Sequence, residues 1–400
     1  MINYWPRNIC FAVDGCNAAC GICGVRKNTG AEMETDRMLE YIDEASELGM
    51  EKVDFTGGEP LDKRYVDVLE CMRHASSKGM EVSVVTNASY ASDPVTALRV
   101  AEDLSEAGAG YMCISFDKHH LKYVPMQNHV NAIRAAAARG IKVNLYTTNI
   151  NSTKDENMRL LGGLSHNLGG ECRPDHTIRF DGGGLDVSIR HAKRIGNAAM
   201  LADDEFKNEM YSFECPTPSE LVLKSRKIFP CCSFHSLDDE TYVVGTDENS
   251  LREAIDRTNE SFMGNIVFGP SGMTRIRNVL KNSGDQKLAR IASAEYLNVC
   301  EACKSFLTDK DSMEFLLQSF GEASGDNPVV TFDGYMPADE NAVVTVGGKK
   351  TRFLNYIGPV SIRDYYNSLF GHELRNIEQL EKKHSIDLSL SKNIIKSRIR

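Results

Sequence analysis

The stretch Cys16-Asn17-Ala18-Ala19-Cys20-Gly21-Ile22-Cys23 decides how this sequence is interpreted, and it follows closely on the apolar segment Ile9–Val13. Three thiols in a short loop after a strand-like segment are typical of a metal-cluster loop. Three thiolates are one too few to ligate every iron of a four-iron cluster, so a 4Fe-4S cluster bound here keeps one iron with open positions. The motif therefore predicts a cluster that takes part in chemistry.

Structural zinc and unrelated surface cysteines are the alternatives. Zinc sites use four ligands, usually in pairs spaced Cys-x2-Cys, whereas the first gap here is Cys-x3-Cys. The loop resembles the signature of the radical S-adenosylmethionine (radical SAM) superfamily. In that family the amino and carboxylate groups of S-adenosylmethionine (SAM) chelate the open iron.

The composition is that of an ordinary globular chain of 400 residues, with 42% hydrophobic and 26% charged residues, long enough for two or three domains. The net charge of -10 argues against a protein built to bind nucleic acid, and favours a small-molecule or peptide substrate. The sequence shows no membrane-spanning stretch and no signal-peptide pattern, so we expect a cytoplasmic protein without a membrane partner. The 12 cysteines then favour metal binding over disulfides.

Strand-like and helix-like segments alternate along the first half of the chain. The strands are expected at Ile9–Val13, Lys52–Phe55, Glu81–Val85, Tyr111–Phe116, Lys142–Tyr146 and Thr177–Phe180. The helices are expected at Asp36–Leu48, Asp62–Ser77, Pro94–Ala107, Asn128–Arg139 and from near Asp155. This order predicts an α/β fold of parallel βαβ units and resembles a partial TIM-type (β/α)6 barrel, whose functional residues lie at the carboxyl ends of the strands.

The second strand ends in Thr56-Gly57-Gly58-Glu59-Pro60, which resembles the GGE motif of radical SAM proteins. In that family the motif's backbone and carboxylate hold the amino group of SAM. The physical chemistry agrees, because glycines let a ligand approach the backbone closely and a carboxylate pairs with an ammonium group. The resemblance therefore implies that Gly57, Gly58 and Glu59 bind the cofactor.

The later strand ends supply further candidates. Asn87 and Ser115 are candidates for contacts to the ribose and nearby parts of SAM, and capping or turn roles are the alternative. Arg179 is a candidate partner for a carboxylate, or else a solvated edge residue. His120, next to His119, is a candidate general acid or base, or an orienting group for the substrate. Cys113 is a candidate hydrogen-atom donor to a substrate radical, or a small buried core residue.

A second set of cysteines follows the barrel. Cys215 precedes two apolar runs that are predicted to form a β-hairpin ending at Pro230-Cys231-Cys232, and Cys300-Glu-Ala-Cys303 follows much later. Four thiolates complete the coordination of a second cluster or of a zinc ion. The region resembles the auxiliary-cluster region of SPASM/twitch-type radical SAM enzymes, in the shorter twitch form. Neighbouring cysteines in extended chain point to opposite faces, and Cys231 fits the Pro-Cys pattern better than Cys232.

Three domains are expected. Residues 1–205 form the barrel, residues 206–307 form a small β-hairpin and helix domain with the auxiliary cluster, and residues 308–400 form an α+β extension of unassigned role.

The resemblance implies an enzyme with two 4Fe-4S clusters and SAM. Reductive cleavage of SAM gives a 5'-deoxyadenosyl radical that abstracts a substrate hydrogen, and the one electron comes from an external reductant such as flavodoxin or ferredoxin. We favour net oxidation of a small polar metabolite such as a sugar or aminocyclitol. Maturation of a ribosomal peptide by crosslinking or epimerisation is the alternative, and a non-catalytic iron-sulfur or zinc scaffold or sensor is the alternative from another class.

Overall fold

The computed structural model describes residues 6–23, 32–173, 177–180, 183–191, 220–232, 242–268, 272–294, 296 and 299–322, together with three short strands nearer the C-terminus. The described residues divide into two compact units. One comprises those within 6–209 and 219–254, and the other those from 255 onward. Each unit is described by itself.

The first unit is built on an 11-stranded sheet with a parallel centre. Parallel pairing runs through the order β9, β1, β2, β3, β4, β5 and β8. Within the described part of the chain the sheet is not closed, because β11 (Gly245–Thr246) and β6 (Glu171–Cys172) are its two ends. The strands of this parallel part are β1 (Asn8–Val13), β2 (Lys52–Gly57), β3 (Glu81–Thr86), β4 (Ala109–Ser115), β5 (Lys142–Asn149), β8 (Gly183–His191) and β9 (Glu220–Lys224). An open parallel sheet confirms the predicted partial TIM-type fold.

A helix follows each of the first five strands, as the sequence predicts. They are α1 (Thr35–Glu47), α2 (Tyr65–Ser77), α3 (Pro94–Glu106), α4 (Met126–Ala138) and α5 (Lys154–Asn167). The start of α3 shows why the sequence specifies these boundaries. Asp93 accepts hydrogen bonds from the backbone N–H groups of Val95 (3.0 Å) and Thr96 (2.9 Å), and Pro94 occupies the first turn.

The prediction that Thr177–Phe180 is the sixth parallel strand is wrong. That segment is β7, and it pairs antiparallel with β8 and with the short β6 (Glu171–Cys172). β8 occupies the sixth position instead, in parallel register with β5. Two glycines, at 183 and 184, begin β8, and glycine weakens a strand, so the sequence signal for β8 is weak.

The predicted hairpin near residue 225 is present. It consists of β9 and β10 (Lys227–Phe229), which pair antiparallel, and it continues to β11 (Gly245–Thr246). Its two turn residues, Ser225 and Arg226, have φ values of 50° and 65°, as a tight hairpin turn requires. Because β9 also pairs parallel with β1, the hairpin belongs to the barrel sheet. The expected domain boundaries remain predictions.

The remaining described helices are α6 (Leu251–Glu260), a π-helical turn (Met263–Val267), α7 (Gly272–Lys281), α8 (Gln286–Ser293), α9 (Val299–Thr308) and α10 (Lys310–Glu322). A separate antiparallel sheet contains β12 (Thr331–Asp333), β13 (Ala342–Val346) and β14 (Lys349–Phe353). A search of the described residues finds no helix with the length and hydropathy needed to cross a membrane.

Candidate active site

The loop that carries the three cysteines leaves the carboxyl end of β1. Cys20 is buried at 4% exposure, and Cys16 and Cys23 are half-buried. The backbone N–H of Cys23 donates to the carbonyl oxygen of Cys20 at 3.2 Å, which closes a tight turn between two of the thiols. All three thiols therefore lie on one loop at the carboxyl ends of the parallel strands, where the ligand site of such a sheet is expected.

Gly57 and Gly58 pack directly against the backbone that leads into this loop. A Cβ atom on Gly57 would lie 2.5 Å from the carbonyl oxygen of Val13, and one on Gly58 would lie 1.8 Å from the carbonyl oxygen of Gly15. The Gly58 N–H donates to Val13 and the Glu59 N–H donates to Gly15, both at 2.6 Å. The two predicted motifs therefore form one structural unit, in which glycine is required by close backbone approach.

Glu59 is buried at 2% exposure, and its carboxylate is used within the protein. It accepts hydrogen bonds from the Thr86 hydroxyl (2.7 Å), the Asn87 N–H (2.7 Å) and the Leu61 N–H (3.1 Å). Burial raises the pKa of Glu59 to about 7, although these three hydrogen bonds act to lower it. Glu59 thus ties the loop after β2 to the end of β3, a positioning role that the motif alone does not reveal.

Asn87 joins this arrangement from the end of β3. Its side-chain N–H group donates to the side-chain oxygen of Asn17 at 2.9 Å and lies 3.9 Å from the sulfur of Cys16. Asn17 donates in turn to the Ser89 hydroxyl at 2.7 Å. Asn87 therefore lies beside the cysteine loop and braces it, and its contact with SAM remains a prediction.

Ser115 and Cys113 lie on β4, two residues apart and so on the same face of the sheet. Cys113 is buried at 6% exposure, and Ser115 is half-buried at the strand's carboxyl end. The carbonyl oxygen of Ser115 lies 3.2 Å from Nε2 of the buried His129. The position of Ser115 suits a ligand contact, whereas Cys113 lies deeper along the strand.

The residues after β4 form a buried carboxylate and imidazole pair. Asp117 is fully buried, and one of its oxygens lies 2.9 Å from Nδ1 of His120. Burial acts to raise the pKa of Asp117, but the hydrogen bond and charge of His120 lower it. Burial acts to lower the pKa of His120, but hydrogen bonds to Asp117 and to the side chain of Cys20 raise it well above its usual value. Sequence reasoning missed Asp117, although a carboxylate three residues before a histidine is a readable signal.

Arg179 does not lie on a parallel strand that ends at this site, contrary to the prediction from the sequence. It lies on the antiparallel strand β7 and is exposed, and its guanidinium would contact a Cβ atom built at Gly184. The exposed side chain therefore covers the start of β8, and its pairing with a carboxylate remains a prediction.

A second group of buried polar residues, next to the cysteine loop, was also not predicted from the sequence. Asp14, two residues before Cys16, accepts a hydrogen bond from the Ser225 hydroxyl at 2.6 Å. Lys224 has its ammonium nitrogen 3.9 Å from Asp14, and both side chains are almost fully buried. The hairpin tip is thus anchored to the start of the cysteine loop, a long-range contact that no local pattern predicts.

The second cysteine set is described only in part. Cys215 lies outside the described residues. Cys231, at the end of the hairpin, is buried at 5% exposure, and Cys232 is half-buried. Cys300 and Cys303 are one turn apart on α9, so their side chains share a helix face. Across the part of the chain that is described, no three His, Cys, Asp or Glu side chains are gathered around a single metal-ion position.

The donor set of the first loop fits a 4Fe-4S cluster with one open iron. Three thiols on one loop would supply three of the four ligands that such a cluster takes, and the Asn87 side-chain nitrogen lies 3.9 Å from the Cys16 sulfur. Cys16, Cys20 and Cys23 are the residues that would hold the cluster.

Comparison with known proteins agrees with this interpretation. Residues 12–161 match the family described as the Radical SAM superfamily. Proteins of this family use a 4Fe-4S cluster and SAM.

Individual relatives match over shorter stretches. The PqqA peptide cyclase of Bradyrhizobium diazoefficiens is 34% identical over 88 residues, 22% of this chain and 21% of that protein. The GTP 3',8-cyclase of Syntrophomonas wolfei is 25% identical over 165 residues, 38% of this chain and 48% of that protein. The chain thus spans less than half the length of either curated relative. The crystal structure of Streptococcus suis SuiB bound to S-adenosylmethionine has a TM-score of 0.46 at 15% identity, covering 75% of this chain and 72% of that one.

Proposed function

We propose that this chain is a radical SAM enzyme that removes a hydrogen atom from a polar substrate. The observation that carries the proposal is the joining of Cys16, the Gly57-Gly58 pair and Asn87 at adjacent strand ends of one parallel sheet. When bound, the cluster supplies the electron that cleaves SAM into methionine and a 5'-deoxyadenosyl radical. The protein's part is to hold SAM and substrate in contact and away from water.

The inner face of the sheet supports a polar substrate. Closed TIM barrels fill this face with branched aliphatic side chains. Here Lys52 and Asp54 form an ion pair at 3.0 Å, and Asn144 and Ser188 are hydrogen-bonded at 3.1 Å. Asn144 and Tyr146, on the same face of β5, are only half-buried. Such a surface offers hydrogen bonds to a sugar, an aminocyclitol or another small polar metabolite.

A peptide substrate is the second candidate. It is favoured by the 34% identity to a PqqA peptide cyclase, whereas the GTP 3',8-cyclase relative favours a small molecule. Deuterated candidates of both kinds distinguish the two, because the true substrate transfers its deuterium into 5'-deoxyadenosine.

The second cysteine set is proposed to hold an auxiliary cluster that accepts the substrate's second electron, giving net oxidation. Cys215, Cys231, Cys300 and Cys303 are its proposed ligands, and Cys300 and Cys303 share a helix face as ligands from one helix must. A flavodoxin- or ferredoxin-type protein is proposed as the reductant of the first cluster.

Anaerobic reconstitution tests both parts of the proposal. The wild type should bind about eight irons per chain and form 5'-deoxyadenosine from SAM with dithionite. The double variant Cys300→Ala/Cys303→Ala should lose about four irons but still cleave SAM. Zinc without iron, or no 5'-deoxyadenosine from iron-loaded wild type, would contradict the enzyme. An unchanged iron content in the double variant would contradict the auxiliary site.

A further inference from the structure

The segment that leads from the cysteine loop into α1, residues 32–35, is held by one side chain from the loop after β2. This side chain is Arg64, which directly precedes α2 and is 17% exposed. Its guanidinium group donates hydrogen bonds to a Glu32 carboxylate oxygen at 3.0 Å and to the Met33 carbonyl oxygen at 3.1 Å. It also donates to the Thr35 hydroxyl at 3.3 Å. Arg64 therefore fixes the position of this returning arm relative to the loop after β2.

Arg64 is itself oriented by a carboxylate in the first turn of α2. Its Nε atom lies 2.8 Å from Asp67, while the two terminal nitrogens make the contacts with residues 32–35. Every nitrogen of the planar guanidinium group thus has a partner. A lysine ammonium group is a single point charge and cannot reproduce this fixed set of directions. The contact therefore depends on arginine itself, and not only on its positive charge.

The arm that leads into the cysteine loop is held from the same side. The backbone N–H of Glu59 donates to the carbonyl oxygen of Gly15, directly before Cys16, at 2.6 Å. The second carboxylate oxygen of Glu32 lies 3.9 Å from the place of a Cβ atom on Gly15. The loop after β2 therefore binds both arms of the cysteine loop, one through the backbone of Glu59 and the other through the side chain of Arg64.

We propose that Arg64 is a positioning residue for SAM binding, because it holds the returning arm at a fixed place beside the Gly57-Gly58-Glu59 motif. The inference rests on the proposed function, since it requires both a cluster on the cysteine loop and SAM. A ligand that binds two protein elements at once binds tightly when these elements are already held in the right geometry. The three thiols lie on residues 16–23, outside the returning arm, so Arg64 is not needed to hold them. Loss of Arg64 therefore weakens SAM binding more than it lowers the iron content.

The test measures SAM binding by the iron-loaded full chain. One readout is the SAM concentration that gives half of the SAM-induced change in the electron paramagnetic resonance signal of the reduced cluster. The other is the KM for SAM in 5'-deoxyadenosine formation with dithionite, and iron per chain is measured in parallel. The variants are Arg64→Gln, Arg64→Lys, Glu32→Gln and the double variant Arg64→Gln/Glu32→Gln. Arg139→Gln is the matched control, because Arg139 pairs with Glu102 at 2.9 Å and precedes β5, at the amino ends of the strands.

Arg64→Gln should bind as much iron as the wild type but need about tenfold more SAM for half of the spectral change, which is about 1.4 kcal/mol of binding free energy. Its KM for SAM should rise more than its kcat falls. Arg64→Lys and Glu32→Gln should need intermediate SAM concentrations, and Arg139→Gln should match the wild type. The double variant should be no worse than Arg64→Gln alone, because the two residues act through one shared contact.

Wild-type SAM binding by iron-loaded Arg64→Gln overturns the proposal, and so does an equal loss of SAM binding in Arg139→Gln. If Arg64→Gln binds no iron, wild-type SAM binding by Glu32→Gln overturns it instead. A wild type that shows no 4Fe-4S signal, or no 5'-deoxyadenosine, overturns the proposed function itself.

Discussion

The close approach of Gly57 to β1 predicts the effect of adding a single methyl group. In Gly57→Ala the new Cβ would lie 2.5 Å from the Val13 carbonyl oxygen and 2.6 Å from the Val13 nitrogen. Both are backbone atoms, so no side-chain rotation relieves the overlap. Gly57 also has a φ of +102°, and a left-handed conformation costs about 1–2 kcal/mol for a residue with a Cβ.

Gly79→Ala separates the two effects. Gly79 has a φ of +78°, but a Cβ there would meet nothing within 4 Å. This control should lower the free energy of unfolding by about 1–2 kcal/mol. Gly57→Ala must in addition displace β1 or the loop and break the 2.6 Å hydrogen bond from Gly58 to Val13. A lost buried hydrogen bond adds about 1–3 kcal/mol, so the total should be about 2–5 kcal/mol.

Urea unfolding followed by circular dichroism measures the stability, and iron per chain after anaerobic reconstitution measures the site. Gly79→Ala should keep the full iron content, whereas Gly57→Ala should lose the iron of the first cluster. The reasoning about this loop is refuted if the two variants have the same stability and iron content.

Three further perturbations separate the scaffold from the site. Burial lowers the pKa of His129 to about 4, so below pH 6.5 the unfolded chain takes up a proton that the folded chain does not. Between pH 6.5 and pH 4 the free energy of unfolding should fall by about 3 kcal/mol more in the wild type than in His129→Gln. The control His166→Gln changes an exposed histidine and should behave like the wild type. Asp93→Ala should lower stability by about 1 kcal/mol through loss of the α3 cap and leave iron binding unchanged; lost iron would contradict this separation. Asn87→Asp places a carboxylate oxygen against the Asn17 oxygen and should slow SAM cleavage about tenfold, and a wild-type rate would show that the amide is not needed.

The sequence predicts the parallel sheet well because each βα unit carries its own local signals. The capped start of α3 is one example, and the positions of β1 to β5 agree with the predicted segments within a few residues. The cysteine loop and the Gly57-Gly58 pair are likewise local motifs. The two motifs meet because the carboxyl ends of neighbouring parallel strands lie at the same end of the sheet.

The rest depends on contacts between distant parts of the chain. The pairing of β9 with β1 joins residues more than 200 positions apart, and nothing in the hairpin's own pattern specifies its partner. The neighbouring strands β7 and β8 run in opposite directions, and only β8 is parallel to β5. Strand propensity does not encode the direction of a strand. The Thr86 and Asn87 donors to Glu59 are found only once the strand ends are brought together.

The central claim is that Cys16, Cys20 and Cys23 hold the cluster that cleaves SAM. The test compares wild type, a triple variant in which all three cysteines are replaced by Ala, and the control Cys172→Ala. Cys172 is a half-buried cysteine on β6. The measurement is the 5'-deoxyadenosine formed from SAM with dithionite after anaerobic reconstitution. The account predicts product from wild type and Cys172→Ala, and none from the triple variant, which should still bind about four irons. Formation of 5'-deoxyadenosine by the triple variant at the wild-type rate would contradict it.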